Sequence, residues 1–168
     1  DVNGTAAIQA TANTSLYITG GANITSYNES QQDYNTYEKK PGTIYKTKGK
    51  GKVTIAGAEI TNTSSAGYGL YAGDSYTATE TPFVISKGSS VIKAPYQAMN
   101  IAPQLRPGIQ GNARENYSTG SLSAYDENLI NTYRYIEFST VQDYAVTRIG
   151  EKNYTDLQAA VDEVSSDG

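Results

Sequence analysis

Four lysines alternate with threonine and glycine in Lys46-Thr-Lys-Gly-Lys-Gly-Lys52. In an extended chain, successive side chains take opposite faces. Lys46, Lys48, Lys50 and Lys52 would then project together, with Tyr45, Thr47, Gly49, Gly51 and Val53 on the other face. Residues 38–52 carry six Lys against one Glu, a net +5, so the rest of this −4 chain carries −9. A positive stripe on an acidic chain concentrates anions locally, which points to an anionic polymer as partner. Nucleic acid fits poorly, because the chain is acidic overall and has only four Arg. An anionic glycan or anionic cell-wall polymer fits better. The same lysines on an edge or solvent-facing strand would also block sheet-to-sheet association, and that purely protective reading stays open.

Tyrosine is the second residue type with binding chemistry, at 15 copies with no Trp. Tyr68, Tyr71 and Tyr76, or Tyr34 and Tyr37, could stack an aromatic face on the apolar face of a pyranose ring. Tyrosine is equally a good strand residue, half buried with its hydroxyl at the surface.

Much other chemistry is excluded. The chain has no Cys and no His, which removes disulfides, thiol catalysis, thiolate metal sites, the commonest general base and the commonest zinc ligand. Glu29, Asp33, Glu38, Glu59, Asp74, Glu80 and Glu115 are scattered singly; the adjacent pairs are Asp126-Glu127 and Asp162-Glu163. No Asp-X-Asp run suggests calcium. Gly20-Gly21 and Gly67-Tyr-Gly69 lack the Lys-Ser/Thr and following helix that a phosphate loop requires. No catalytic residue, metal or cofactor is therefore expected. A polysaccharide lyase or hydrolase stays as an alternative, because folding could gather distant carboxylates.

Three segments share one pattern and would position these residues: Ser15–Ile24, Lys52–Ile60 and Pro82–Val91. In each, apolar residues alternate on a strand (Leu16 and Ile18, Val53 and Ile55, Phe83 and Ile85). A glycine follows, and a second short strand carries Ile24, Ile60 or Val91. Such a unit has one apolar face that it cannot bury alone, so equivalent units must stack. The starts at Leu16, Val53 and Phe83 lie 37 and 30 residues apart, within the roughly 20–50-residue period of solenoids. Gly67–Tyr71 and Tyr96–Ile101 read as a further side of the coil, with Leu70 and Met99 or Ile101 pointing inward. The expected fold is all-β, a parallel β-helix with irregular loops and one short C-terminal helix; an antiparallel β-sandwich is the alternative.

The repeat region is expected over residues 1–140. Pro103, Pro107, Gly108, Gly111 and Gly120 make Ile101–Asn131 an irregular wrap, and Tyr133–Phe138 a closing strand. Residues 141–168 read as a linker and the start of a further module. Its helix over 155–164 is capped by Thr155 and has Leu157, Ala160, Val161 and Val164 on one face. No run of 18 apolar residues suggests a membrane span, and Asp1 opens without a recognisable signal peptide. Seven Asn-X-Ser/Thr triplets, at Asn3, Asn13, Asn23, Asn28, Asn62, Asn116 and Asn153, follow as readily from a composition rich in Asn, Ser and Thr as from glycosylation.

The units Val53–Ile60 and Phe83–Val91, followed by Tyr96-Gln-Ala-Met-Asn-Ile-Ala-Pro103, resemble right-handed, pectate-lyase-like β-helix modules of large cell-surface proteins from Gram-positive gut bacteria. Some of these relatives are carbohydrate-binding domains. Tyr135–Phe138 and Ile149–Val161 are similar to the junction at which such proteins begin another module. The resemblance implies a secreted or wall-associated protein whose β-helix binds glycans or serves as a stalk. With only 18% charged residues and much Asn, Thr, Ser, Gly and Tyr, composition also suggests an extracellular setting. The expected role is a non-catalytic adhesive or carbohydrate-binding module, with a structural spacer as the alternative. The oligomeric state stays open.

Overall fold

A computed structural model describes residues 6–27, 42–73, 76–77, 79–141, 147–149, 152–154, 161–162 and 164. The fold is all-β. The strands are β1 (Ile8–Ala10), β2 (Leu16–Ser26), β3 (Gly42–Lys46), β4 (Val53–Asn62), β5 (Tyr68–Ala72), β6 (Phe83–Ile85), β7 (Ser90–Lys93), β8 (Gln97–Met99), β9 (Gln104–Leu105), β10 (Ile109–Arg114), β11 (Ser123–Ala124), β12 (Tyr135–Thr140), β13 (Thr147–Ile149) and β14 (Lys152–Tyr154). One 3-10 turn, Glu127–Leu129, is capped by the Asp126 side chain.

The three repeats stack in parallel, and the first strand of each pairs at the register its sequence predicts. Leu16 pairs with Val53 and Val53 with Phe83; Ile18 pairs with Ile55, Ile55 with Ile85 and Ile85 with Leu105. Past the glycines, Ile24 pairs with Ile60 and Ile60 with Ile92, so the expected Val91 is corrected: it pairs with Glu59 and is half-buried, one position out of the apolar row. A separate four-stranded parallel sheet, ordered β1-β3-β5-β8, aligns Ile8, Ile44, Leu70 and Met99. Isoleucine and valine suit these rows, because a β-branched side chain packs well on a pleated surface. Burying each contributes about 1.5–3 kcal/mol. The rows meet in one core: Ile44, Val53, Ile55, Ile60, Leu70, Phe83, Ile85, Ile92 and Met99 are fully buried.

The glycine of each unit has a physical cause. Gly20, Gly21, Gly57 and Gly88 all have φ between 74 and 88°, the left-handed region that costs other L-residues about 1–2 kcal/mol. Gly20 and Gly21 together oppose Gly57, which makes a bulge between Thr19 and Ala22 in the β2–β4 ladder. There the strand turns from one run to the next without ending. In the third unit the chain breaks at the same place, into β6 and β7.

The structure corrects two further expectations. The repeats pair in parallel, so an antiparallel sandwich does not describe them. Ile101–Asn131 is not simply irregular, since it holds β9, β10 and β11. β10 pairs antiparallel with β12 from Ile109↔Thr140 to Arg114↔Tyr135, and β12 pairs antiparallel with β7. The mixed sheet therefore carries the isoleucine row onward, Ile92 to Ile136 and then to Ala113. β10 hides from a hydropathy reading because its inward positions include Gly111 and Ala113. A side chain at Gly111 would meet the Phe138 ring and Tyr125 at 2.9 Å.

β13 and β14 form an antiparallel pair. Of the helix expected over 155–164, Val161, Asp162 and Val164 are helical, and the other residues lie outside the described set. So do Asn3, Asn28, Glu29, Asp33, Tyr34, Tyr37, Glu38, Asp74 and Glu163.

Candidate functional site: a lysine-lined cleft

The approach to each repeat is one rung of the same site. Asn13, Lys50 and Glu80 stand three residues before Leu16, Val53 and Phe83, and are equivalent positions on three successive turns. The rungs are bonded directly: Lys50 N donates to Asn13 Oδ1 at 3.4 Å and Gly51 N to the Ala12 carbonyl at 3.1 Å. Together they border an open cleft of ≈ 470 Å³, lined by Asn13, Lys48–Lys52, Tyr76 and Thr79–Pro82.

Alternation of lysine and glycine follows from how closely these turns approach. A Cβ at Gly49 would lie 2.2 Å from the Ala12 carbonyl oxygen, and one at Gly51 2.2 Å from that of Thr14. Only glycine fits on the inner side of this segment, which puts Lys48, Lys50 and Lys52 on the exposed side. Three of the four lysines expected as a stripe are therefore gathered at one cleft.

Lys46 is the exception, and the expectation for it is corrected. It ends β3 and is buried, and its Nζ donates to the carbonyls of Thr11 (3.2 Å), Ala12 (2.8 Å) and Thr47 (2.8 Å). Strand β3 stops there and the chain bends, so strict alternation does not run through all four lysines. Burial lowers the Lys46 pKa below its ordinary 10.5, since desolvation disfavours the charged form.

At the cleft, Lys48 Nζ forms an ion pair with Glu80 Oε1 and lies 4.9 Å from the centre of the Tyr76 ring. Glu80 Oε2 accepts from Thr77 N at 2.7 Å and Thr77 Oγ1 at 3.1 Å. The lysine first, and then the Thr77 N–H, hold the Glu80 carboxyl below its ordinary 4.5. Lys52 Nζ reaches forward to Thr81 Oγ1 (3.2 Å) and Gln104 Oε1 (3.1 Å). Among the described residues, no side-chain partner holds the Lys50 ammonium. Among the described residues that line the cleft, three lysines against Glu80 leave a net +2.

Of the described tyrosines expected to contact a ligand, Tyr68, Tyr71 and Tyr76, only Tyr76 lies at this cleft. Its ring sits beneath Lys48, and its hydroxyl donates to the carbonyls of Thr47 (3.0 Å) and Gly49 (3.3 Å). Burial raises its pKa, as does the Glu80 charge to a lesser extent. Tyr76 thus supports the lysine segment from below. Tyr71 is 6% exposed and stacks on Tyr45 at 5.9 Å, so it has no free face for a sugar. Tyr68 packs on Tyr71 at 5.0 Å and on the exposed Tyr96 at 5.2 Å, forming a separate aromatic row.

Hydropathy and charge counting miss Glu80, Asn13 and Thr81. The repeat alignment carries their signal, since extending it three residues upstream of each unit brings Asn13, Lys50 and Glu80 into line. Among the described residues, no group of His, Cys, Asp and Glu could hold a metal ion. No described helix is long and apolar enough to cross a membrane. Comparison with family models, curated proteins and solved structures finds no match.

Proposed function

We propose that this chain is a non-catalytic extracellular binding module whose lysine-lined cleft takes an anionic polysaccharide or cell-wall polymer. The observation that carries the reading is the convergence of Lys48, Lys50 and Lys52 on one open cleft in a chain that is acidic elsewhere. An exposed cationic cleft on an acidic body draws in a polyanion and confines it to one place. Lysine suits a flexible charged polymer, because an ammonium is a point charge without the fixed fork of arginine.

A short right-handed β-helix is the proposed scaffold. Its support is the parallel, in-register stacking of three units and the second parallel sheet alongside. Location outside the cell is supported by composition and by the resemblance to surface modules of Gram-positive gut bacteria. The same stacking favours a second reading, a rigid spacer between neighbouring modules.

The test is binding of polygalacturonate, poly(glycerol phosphate) and neutral dextran at low and high salt. The two polyanions separate uronate from phosphate as the recognised charge. Expected are salt-sensitive binding of a polyanion, no dextran binding, and at least a tenfold loss in the Lys50→Glu/Lys52→Glu variant. A folded wild-type chain that binds neither polyanion overturns the reading and leaves the spacer. Release of unsaturated or reducing sugar from polygalacturonate would instead establish a lyase or hydrolase.

A further inference from the structure

We infer that Glu80 is a built-in competitor at the cleft, an internal carboxylate that occupies Lys48 and must be displaced or outweighed when an anionic ligand binds. The inference rests on the cleft being an anion site, and it adds how that site is regulated.

Three observations carry it. First, Glu80 is placed by its own turn. Glu80 N donates to the Thr77 carbonyl at 3.0 Å, while Thr77 N and Oγ1 both donate to Glu80 Oε2. One carboxylate oxygen is anchored at home, and the other is presented to Lys48. Second, Glu80 occupies the rung equivalent to Lys50, so the carboxylate comes from the neighbouring turn of the stack. Third, among the described residues the charged and titratable groups lining the cleft are Lys48, Lys50, Lys52, Tyr76 and Glu80, and of these Glu80 is the negative one. Its removal takes that set of groups from +2 to +3 and takes one carboxylate away from an ammonium already held over the Tyr76 ring.

The Lys48–Glu80 pair is suited to exchange. The Lys48 and Glu80 side chains are 43% and 35% exposed, and a pair in that setting contributes little to stability. A ligand carboxylate can therefore replace Glu80 at Lys48 without disturbing the core. What the native pair does is lower the affinity of the empty cleft and reserve it for ligands of high charge density, which engage Lys50 and Lys52 at the same time. A single free carboxylate, such as acetate, gains too little to compete.

The experiment titrates the full chain with polygalacturonate fragments and with poly(glycerol phosphate), using wild type, Glu80→Gln, Lys48→Gln/Glu80→Gln and Lys50→Glu/Lys52→Glu. Glutamine keeps an acceptor for Thr77 and removes only the charge. One unit charge a few ångströms away in a water-rich cleft predicts about three- to tenfold tighter binding by Glu80→Gln at low salt, shrinking as salt rises. The Lys48→Gln/Glu80→Gln variant is expected to return to wild-type affinity. If Glu80→Gln binds no tighter than wild type while Lys50→Glu/Lys52→Glu loses binding, the anion site stands and the competitor is overturned. If none of the folded proteins binds either polyanion, the anion site itself is wrong and the competitor falls with it. Far-ultraviolet circular dichroism and a urea melt establish folding independently of binding.

Discussion

The Lys46 ammonium lies 2.8 Å from the carbonyl oxygen of Ala12, 34 residues earlier in the chain, and this charged bond pins the turn before the first repeat to the end of β3. Two terms oppose each other here. A hydrogen bond to a charged group contributes about 1.5–3 kcal/mol, whereas taking an ammonium out of water costs several kcal/mol. The three carbonyls also have second donors: Thr14 N at Thr11, Gly51 N at Ala12 and the Tyr76 hydroxyl at Thr47. Loss of the ammonium therefore leaves none of them bare. Lys46→Met should lower unfolding stability by only about 1–2 kcal/mol, while Lys46→Ala, which also leaves a cavity, costs more. Urea denaturation of the two variants checks this, and a stabilised Lys46→Met would mean that desolvation outweighs the bonds.

A second prediction concerns the backbone of the lysine segment. A Cβ at Gly51 would stand 2.2 Å from a main-chain oxygen, and backbone yields less readily than a flexible side chain. Gly51→Ala should destabilise by about 3 kcal/mol. Gly57→Ala meets no such obstacle, its nearest contact being 3.8 Å away; it bears only the left-handed penalty of about 1–2 kcal/mol. Thermal melts showing the reverse order would contradict the close approach of residues 49–51 to the 12–14 turn.

The repeats were legible because one physical requirement, burial of an apolar face by stacking, wrote itself three times at Leu16, Val53 and Phe83. Leu70 and Met99 were legible as inward residues for the same reason. β10 was not legible, because Gly111 and Ala113 bury backbone and small side chains against Phe138 and leave no apolar signature. The fate of Lys46 was hidden too, since nothing local marks where β3 ends and a buried lysine is chosen by the carbonyls of a distant turn. Glu80 belongs to the cleft through register alone, which a scan of local charge does not see.

Ile92 pairs with Ile60 on one side and Ile136 on the other, at the point where parallel pairing gives way to antiparallel. Ile92→Ala should cost about 2–5 kcal/mol, the range for emptying a fully buried site. Tyr17, which is 72% exposed on β2, serves as the surface comparison, and Tyr17→Ala should stay within about 0.5 kcal/mol of wild type. Similar costs for the two would place the core elsewhere.

Stability should fall in alkali. Burial raises the pKa of Tyr125 first, with Glu127, Tyr133 and Asp126 adding to it, and burial also leads the rise at Tyr76 and Tyr135. A group whose folded pKa exceeds its unfolded value of 10.0 binds more protons when folded. Its stabilisation is therefore complete below pH 10 and is lost as pH climbs toward the folded value. Lys46 runs the other way: its lowered pKa lets the folded chain release a proton earlier, so its contribution rises with pH just below 10.5. Three tyrosines against one lysine make the net slope negative above pH 10. Among the described residues the buried Tyr125 hydroxyl has no hydrogen-bond partner, so Tyr125→Phe should raise stability at pH 7 by about 1 kcal/mol and flatten the alkaline loss. Urea midpoints measured between pH 7 and 11 test both parts.

Tyr76 separates a supporting role from a contacting one. If its ring face held a sugar, Tyr76→Phe would keep that face and leave affinity unchanged, and only removal of the ring would matter. The geometry says otherwise, because the ring lies under the Lys48 ammonium and the hydroxyl bonds the carbonyls of Thr47 and Gly49. Tyr76→Phe deletes those two bonds, which should cost about 1 kcal/mol of stability and loosen the segment that presents Lys48. Polygalacturonate affinity should then fall roughly two- to fivefold, corresponding to about 0.4–1 kcal/mol of ordering to be supplied on binding, although the aromatic face remains. Titration of Tyr76→Phe beside Tyr76→Leu decides the matter: wild-type affinity in the first with a large loss in the second would assign the ring to the ligand.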